Sequence, residues 1–298
     1  MDEFTFRADD GAEIFARRWL PEGAPRAVVL IAHGLSEHSG RYARFADALV
    51  GAGFAVYAVD HRGHGRTAES TGIGRAGANG VDDILDDLHQ LSGIAVAELD
   101  GLPVMLFGHS MGALLAQAYA ERFGNELVAL VLSGSAGAND DLGAMAEMIR
   151  SAIDAGMADD PLPTLAAMNE AFEPARTPYD WLSRDAAEVD AYIADPMCGD
   201  DAPPTFGFIA SLMDVGVAAM QPTAIATIPA GLPVLLVTGE RDVASSDAAN
   251  VRELETRLRA AGLDVDARYY PDARHELLNE INRDEVTADI LGFLLGHL

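Results

Sequence analysis

The stretch that most constrains this chain is Leu102-Pro103-Val104-Met105-Leu106-Phe107-Gly108-His109-Ser110-Met111-Gly112-Ala113. Its apolar run has the length and composition of a buried strand. The run breaks at Gly108-x-Ser110-x-Gly112, and residues 114–123 then read as a helix. Strand, tight turn and helix are the setting of a nucleophile elbow. Such a turn holds its central serine in a strained conformation, which is why flanking residues without a Cβ help. It also aims the hydroxyl out of the sheet, at the positive end of the following helix. Ser110 is therefore the candidate nucleophile. The plain alternative is a glycine-rich turn that happens to carry a serine.

The rest of the chain supplies a frame for that turn. Residues 3–8 and 13–20 alternate well enough to be two strands around a turn at Asp9-Asp10-Gly11. Arg26-Ala27-Val28-Val29-Leu30-Ile31-Ala32 and Phe54-Ala55-Val56-Tyr57-Ala58-Val59 are continuous apolar runs, the kind buried on both faces. Helical spacing is expected over 42–52 and 81–99, and a further strand over 127–132. Asp82, Asp83, Asp86 and Asp87 fall together and read as a solvated helix face. From about 133 to 230 the β runs stop. Helical segments alternate with breaks such as Pro161-Leu162-Pro163, and seven of the ten methionines lie there. Pro233-Val234-Leu235-Leu236-Val237 resumes the β pattern, followed by a helix over 248–261, a strand over 265–270 and a closing helix over 284–295. Strand–helix alternation predicts an α/β fold, a mostly parallel sheet with helices on both faces. The expected division is a core of residues 1–135 and 231–298 with an inserted helical cap at 136–230.

A serine hydroxyl needs a base to take its proton and an acid to orient that base. On sheets of this kind the order is serine, acid, histidine. Asp242 follows a strand end and His275 follows the last strand, in Asp272-Ala273-Arg274-His275-Glu276. Glu240 and Asp247 are the fallback acids. The oxyanion of an acyl-transfer intermediate needs two N–H donors aimed at one point. Met111, the residue after the nucleophile, supplies one. Leu35, beyond His33-Gly34 after the third strand, supplies the other, and Gly34 lets that loop approach closely.

Composition narrows the partners. Forty-seven acidic residues face 20 basic ones, every one of them arginine, for a formal net charge of −27. That balance argues against nucleic acid and against docking on anionic lipid. One cysteine, Cys198, excludes an internal disulfide and reads as a small buried residue. The opening Met1-Asp2-Glu3-Phe4-Thr5-Phe6 has no hydrophobic signal core, so the cytoplasm is the expected location. No clustered metal-ligand spacing is present. Residues 72–80 are glycine-rich but lack the G-K-[ST] ending of a phosphate loop. Neither a metal nor a cofactor is expected.

Several motifs taken together carry a family resemblance. They are His33-Gly34-Leu35-Ser36-Glu37-His38-Ser39-Gly40-Arg41-Tyr42, Asp60-x-Arg62-Gly63-His64-Gly65, Gly108-His109-Ser110-Met111-Gly112 and His275-Glu276-Leu277-Leu278-Asn279-Glu280. They resemble the monoacylglycerol lipase and lysophospholipase group of α/β-hydrolases. The cap matches that group only loosely, apart from Asp195-Pro196-Met197-Cys198-Gly199. The resemblance implies Ser110, Asp242 and His275 as triad and Leu35 and Met111 as oxyanion donors. It also implies that Glu37 and Arg41 stand near the polar, glycerol side of the pocket; the bland alternative is a structural ion pair.

The expected activity is that of a serine ester hydrolase releasing a fatty acid from a monoacylglycerol-like, single-chain lipid. Lysophospholipids and short-chain esters are the alternative substrates, and an aminopeptidase on the same scaffold is the alternative class. An aminopeptidase needs a carboxylate in the cap to hold a free amine. The cap methionines are candidates to line an acyl tunnel. Through its apolar residues the cap is expected to make transient contact with a neutral membrane or micelle.

Overall fold

The strands at the centre of the sequence are apolar at every position because they are covered twice. In a computed structural model that describes residues 1–139, 142–162 and 165–298, β3 (Val28–Ala32) follows the hairpin of β1 (Asp2–Arg7) and β2 (Glu13–Trp19). The chain continues through α1 (Ala43–Gly51), β4 (Ala55–Val59), α2 (Ala68–Thr71) and α3 (Val81–Glu98). It then forms β5 (Val104–His109), α4 (Met111–Phe123) and β6 (Leu127–Ser133). The helices α5 (Leu142–Asp154), α6 (Ala186–Ala194), α7 (Phe206–Ala219) and α8 (Pro222–Ile225) come next, before β7 (Pro233–Gly239). The remainder is α9 (Ala249–Ala260), β8 (Asp264–Tyr270) and α10 (Arg283–Gly296).

The eight strands form one sheet in the order β1-β2-β4-β3-β5-β6-β7-β8. β1 and β2 pair antiparallel with each other, and β2 pairs antiparallel with β4; every later pairing is parallel. Side chains alternate between two cores, as the pleat requires. Val28, Leu30, Val104 and Leu106 face the core shared with α3, α4 and α9. Val29, Ile31, Met105 and Phe107 face the core shared with α1 and α10. Edge strand β1 alternates exposed and half-buried residues, with Phe4 and Phe6 resting on the sheet.

Among the described residues no strand of the sheet lies between Ser133 and Pro233. We propose that 136–230 acts as the cap. Tyr179, Trp181, Leu182, Val189, Tyr192 and Cys198 form a small apolar cluster of its own within that segment. Helix α7 rests on α4, and α5 packs on α7.

Two expectations are corrected. Helix α4 begins at Met111, not at 114. Only Ser110, at φ 55° and ψ −117°, is the turn, and Gly112 is already helical. Its glycine is needed for packing: a Cβ there would lie 2.0 Å from the carbonyl oxygen of Ala32 and 2.6 Å from that of His33. Nor is the aspartate run of α3 one solvated face. Asp83 and Asp87 are buried, at 6% and 3% exposure, because their i,i+4 spacing turns both towards Arg62. Arg62 holds Asp87 through Nε at 2.7 Å and Nη2 at 2.9 Å, and Asp10 through Nη1 at 2.5 Å. This buried pairing ties the loop after β4 to α3 and to the β1–β2 turn.

Candidate active site

The loops at the carboxyl ends of β3, β5, β7 and β8 bring the candidate residues together, as parallel sheets do. Ser110 tops β5, and its N–H donates to the Ser133 carbonyl at 2.9 Å, fixing the elbow against β6. Asp242 follows β7 and is fully buried; His275 follows β8 and is 2% exposed. The His275 Nδ1 is 3.0 Å from both Asp242 carboxylate oxygens. Asp242 also accepts the Ala244 N–H at 3.0 Å, which fixes the carboxylate plane. Burial alone would push the imidazole pKa down. The Asp242 charge and hydrogen bond outweigh it, and the net shift is upward. Glu240, the fallback acid, lies at the surface and pairs with Arg252 at 2.8 Å; Asp247 pairs with Arg241 at the surface.

The imidazole of His275 lies between two other rings, those of Trp181 and His109, each with its centroid 4.9 Å away. Burial and the neighbouring His275 hold the His109 pKa down to about 4. The backbone of this loop is pinned to the cap. Glu276 N–H donates to the Leu182 carbonyl at 2.7 Å, and Arg184 Nε donates to Glu280 at 2.9 Å.

The candidate oxyanion loop is held from both sides. His33 Nδ1–H donates to the Gly34 carbonyl at 2.7 Å, while its Nε2 accepts the His61 N–H at 2.8 Å. The Gly34 N–H donates to Glu37 at 2.5 Å. A Cβ on Gly34 would come within 2.7 Å of that carboxylate and 3.3 Å of the Ser110 Cβ, so the close approach expected of this glycine is present. Ser36 sits at φ 53°, in the left-handed region. Its carbonyl accepts from two cap groups, the Gly199 N–H and the Tyr192 hydroxyl, each at 2.9 Å. The N–H groups of Leu35 and Met111 are not spent on backbone or side-chain acceptors among the described residues, and both residues line the cavity at Ser110.

Two cavities meet at Ser110, His275, Leu35 and Trp181. The larger encloses about 900 Å³ with its mouth, and its walls are apolar, with Leu114, Leu142, Ile209, Leu212 and Met213 among them. Of the cap methionines, Met168, Met213 and Met220 line it, whereas Met145 and Met148 are 44% and 71% exposed. The smaller spans about 280 Å³ with its mouth, and Glu37, His109, Tyr192 and Glu276 give it polar groups that the larger lacks. Arg41 joins its two carboxylates: Nη1 donates to Glu37 and to Glu276 at 2.6 Å, and Nη2 donates to Glu276 at 2.7 Å. Burial opposes ionisation of Glu37, but Arg41 and the surrounding imidazoles overcome it and hold the pKa down to about 2. Glu37 is thus both a partner in an ion pair and part of the wall of the smaller cavity, while Arg41 stands behind that wall.

Glu276 and Tyr192 have no role in the sequence reading. Glu276 stands next to His275 in a quoted motif, so a search for the second partner of Arg41 would have reached it. Tyr192 carries no sequence signal, because its link to Ser36 spans 156 residues. One trio has metal-ligand chemistry: His38, Asp195 and Cys198 each place a ligand atom within 4.8 Å of the others. His38 Nδ1 accepts the Gly40 N–H at 3.1 Å, so its Nε2 carries the hydrogen that bonds Asp195 at 2.9 Å. Burial pushes the Cys198 thiol pKa up, away from the thiolate. The trio is a clasp between cap and core.

A family described as serine aminopeptidase, S33, matches residues 23–282. The chain is 33% identical over 297 residues to the monoacylglycerol lipase of Mycolicibacterium smegmatis, covering 99% of this chain and 98% of that one. It belongs to the monoacylglycerol lipase group of α/β-hydrolases. The structure of a thermostable carboxyl esterase from Bacillus coagulans, in complex with glycerol, superposes with a TM-score of 0.93 at 29% identity, over 99% of this chain and 98% of that one. An open-form lipase superposes with a TM-score of 0.88 at 32% identity, over 98% and 97% of the two chains. As a member of this group the chain is a serine hydrolase acting on carboxylic esters. Among the described residues no helix is long and apolar enough to cross a membrane.

Proposed function

We propose that this hydrolase cleaves monoacylglycerols, with Ser110, His275 and Asp242 as triad and the N–H groups of Leu35 and Met111 as oxyanion donors. The observation that carries the reading is the pair of unlike cavities meeting at Ser110. A single fatty acyl chain suits the larger, apolar one, and a small polyhydroxy alcohol suits the one that carries polar groups. Ser110 Oγ attacks the ester carbonyl while His275 Nε2 takes its proton. The developing oxyanion is met by the two N–H donors, an arrangement in which each donor typically contributes about a hundred- to a thousandfold in rate. His275 then protonates the departing alcohol. A water molecule, deprotonated by the same nitrogen, releases the fatty acid from Ser110.

The aminopeptidase reading requires a carboxylate facing the acyl side. Among the described residues none lines the apolar cavity. Lysophospholipids share the acyl chain and differ in the alcohol. The outward Met145 and Met148 of α5 suit transient contact with a neutral micelle or membrane, and the single buried cysteine suits the cytoplasm.

Fatty acid release from monolauroylglycerol, lauroyl lysophosphatidylcholine and methyl laurate, with Ser110→Ala as blank, tests the reading. Fastest release from the glycerol ester, abolished in the variant, is expected. Peptide turnover without ester turnover overturns the substrate class, and residual turnover by a folded Ser110→Ala overturns the nucleophile.

A further inference from the structure

The polar cavity has an unbalanced charge. Its charged lining residues are Glu37 and Glu276, 3% and 5% exposed. One guanidinium, that of Arg41, serves both. None of the other nearby groups adds a positive charge. Arg44, at the outer edge, is committed to Glu188 at 2.7 Å and to the Leu278 carbonyl. His109 and His33 are both kept neutral by burial. Asp242 is hydrogen-bonded to His275, and with that imidazole neutral its charge adds to the negative side. Two buried carboxylates against one cation leave a net negative charge beside Ser110, in surroundings where water screens it little.

We propose that the alcohol side of this site selects by charge, favouring esters of cationic alcohols such as choline, accepting neutral glycerol, and rejecting alcohols that carry a phosphate. The proposal rests on the assignment of the polar cavity to the leaving alcohol. Between unit charges within one small cavity, an effect of about ten- to a hundredfold on relative rate is the expected scale. The chemistry is unchanged: the acyl–oxygen bond breaks, His275 gives its proton to the departing choline oxygen, and water supplies the hydroxyl of the fatty acid. A fixed cation on the alcohol gains attraction throughout. A phosphate is repelled and has no free cation in the cavity to meet it.

The experiment compares kcat/KM for lauroylcholine, 1-lauroylglycerol and 1-lauroylglycerol 3-phosphate, all at about pH 8, where a histidine is mostly neutral. In the wild-type protein the phosphate ester is expected about a hundredfold or more below the glycerol ester. Glu276→Gln removes one charge and keeps an oxygen for Arg41. In that variant the choline-to-glycerol ratio is expected to fall about tenfold, and the phosphate-to-glycerol ratio to rise by a similar factor. Ratios unchanged within about threefold, in a variant that melts like the wild type, overturn the proposal. Inhibition of the wild-type protein by the free alcohols gives the same answer without a substitution: choline is expected to inhibit most strongly and glycerol 3-phosphate least. The reverse order overturns the proposal. Hydrolysis of 1-lauroylglycerol with no dependence on charge leaves the proposed function standing and removes only this inference. No hydrolysis of any of the three esters removes both.

Discussion

The imidazole of His275 faces the carboxylate of Asp242 with Nδ1 3.0 Å from each oxygen, and neither residue is reached by more than a trace of solvent. In the proposed triad Asp242 thereby fixes the tautomer and leaves Nε2 for the Ser110 proton. Asp242→Asn is expected to lower kcat by about ten-thousandfold, the scale on which a triad fails when its histidine is held in the wrong tautomer. Glu240→Gln, at a surface pair with Arg252, is expected to change kcat less than about twofold. Steady-state hydrolysis of monolauroylglycerol measures both, and the opposite ranking moves the acid to Glu240.

The same contact sets the pH profile. His275 must be neutral to take the serine proton, and its pKa is raised above 6.5 because Asp242 outweighs the effect of burial. Activity is therefore expected to fall on the acid side through an inflection above pH 6.5. Replacing Asp242 by Asn leaves burial opposed only by the weaker pull of Glu276 and Glu37, so in the variant's residual activity that inflection moves down. The sign for stability is opposite. The charged pair stabilises the fold fully below pH 6.5, and this contribution is lost as pH rises through the raised pKa. A kcat/KM profile of wild type and variant checks the first claim, and Tm against pH checks the second.

Gly112 is the tightest point of the elbow. An added methyl would meet the Ala32 and His33 carbonyl oxygens, which are backbone at the end of β3 and just beyond it and cannot rotate away. Gly112→Ala is expected to lower Tm by on the order of 10 °C, or to prevent folding, as overpacking against backbone does. Gly143→Ala is the control: it lies in α5 with nothing within 4 Å of the added carbon, and its Tm is expected to hold or rise slightly.

Tyr192 acts at a distance from the ester. Its hydroxyl holds the Ser36 carbonyl, next to the candidate donor Leu35. Tyr192→Phe is expected to lower kcat about three- to tenfold, the scale of one lost hydrogen bond, with KM little changed. The loss should be equal for glycerol, choline and methyl esters, because the oxyanion is common to them. A loss confined to glycerol esters makes Tyr192 an alcohol contact instead.

Much of the frame was legible because both faces of the sheet are covered. Apolar runs such as 28–32 and 55–59 have one structural use, and the sites follow at their ends. Ser110, Asp242 and His275 could be named from order and spacing alone, and the structure brings Asp242 and His275 into contact. The readings that failed depended on partners distant in sequence. Asp83 and Asp87 look solvated until Arg62 is seen turned towards them. Glu276 looks like a loop residue until Arg41, 235 positions away, closes on it. The cap was the least legible part, because its helices take their orientation from the core they cover.

The contacts of Trp181, Leu182, Tyr192 and Gly199 with the His275 and Ser36 loops make the cap two parts with different freedom to vary. The stretch around α6 is a buttress for the reacting groups and cannot be exchanged without them. The stretch around α5 and α7 supplies wall to the apolar cavity through Leu142, Ile209, Leu212 and Met213. An engineer seeking a new chain-length preference would graft α5 and α7 and keep 179–199 as found. Removing the whole insertion would dismantle the catalyst along with its selectivity.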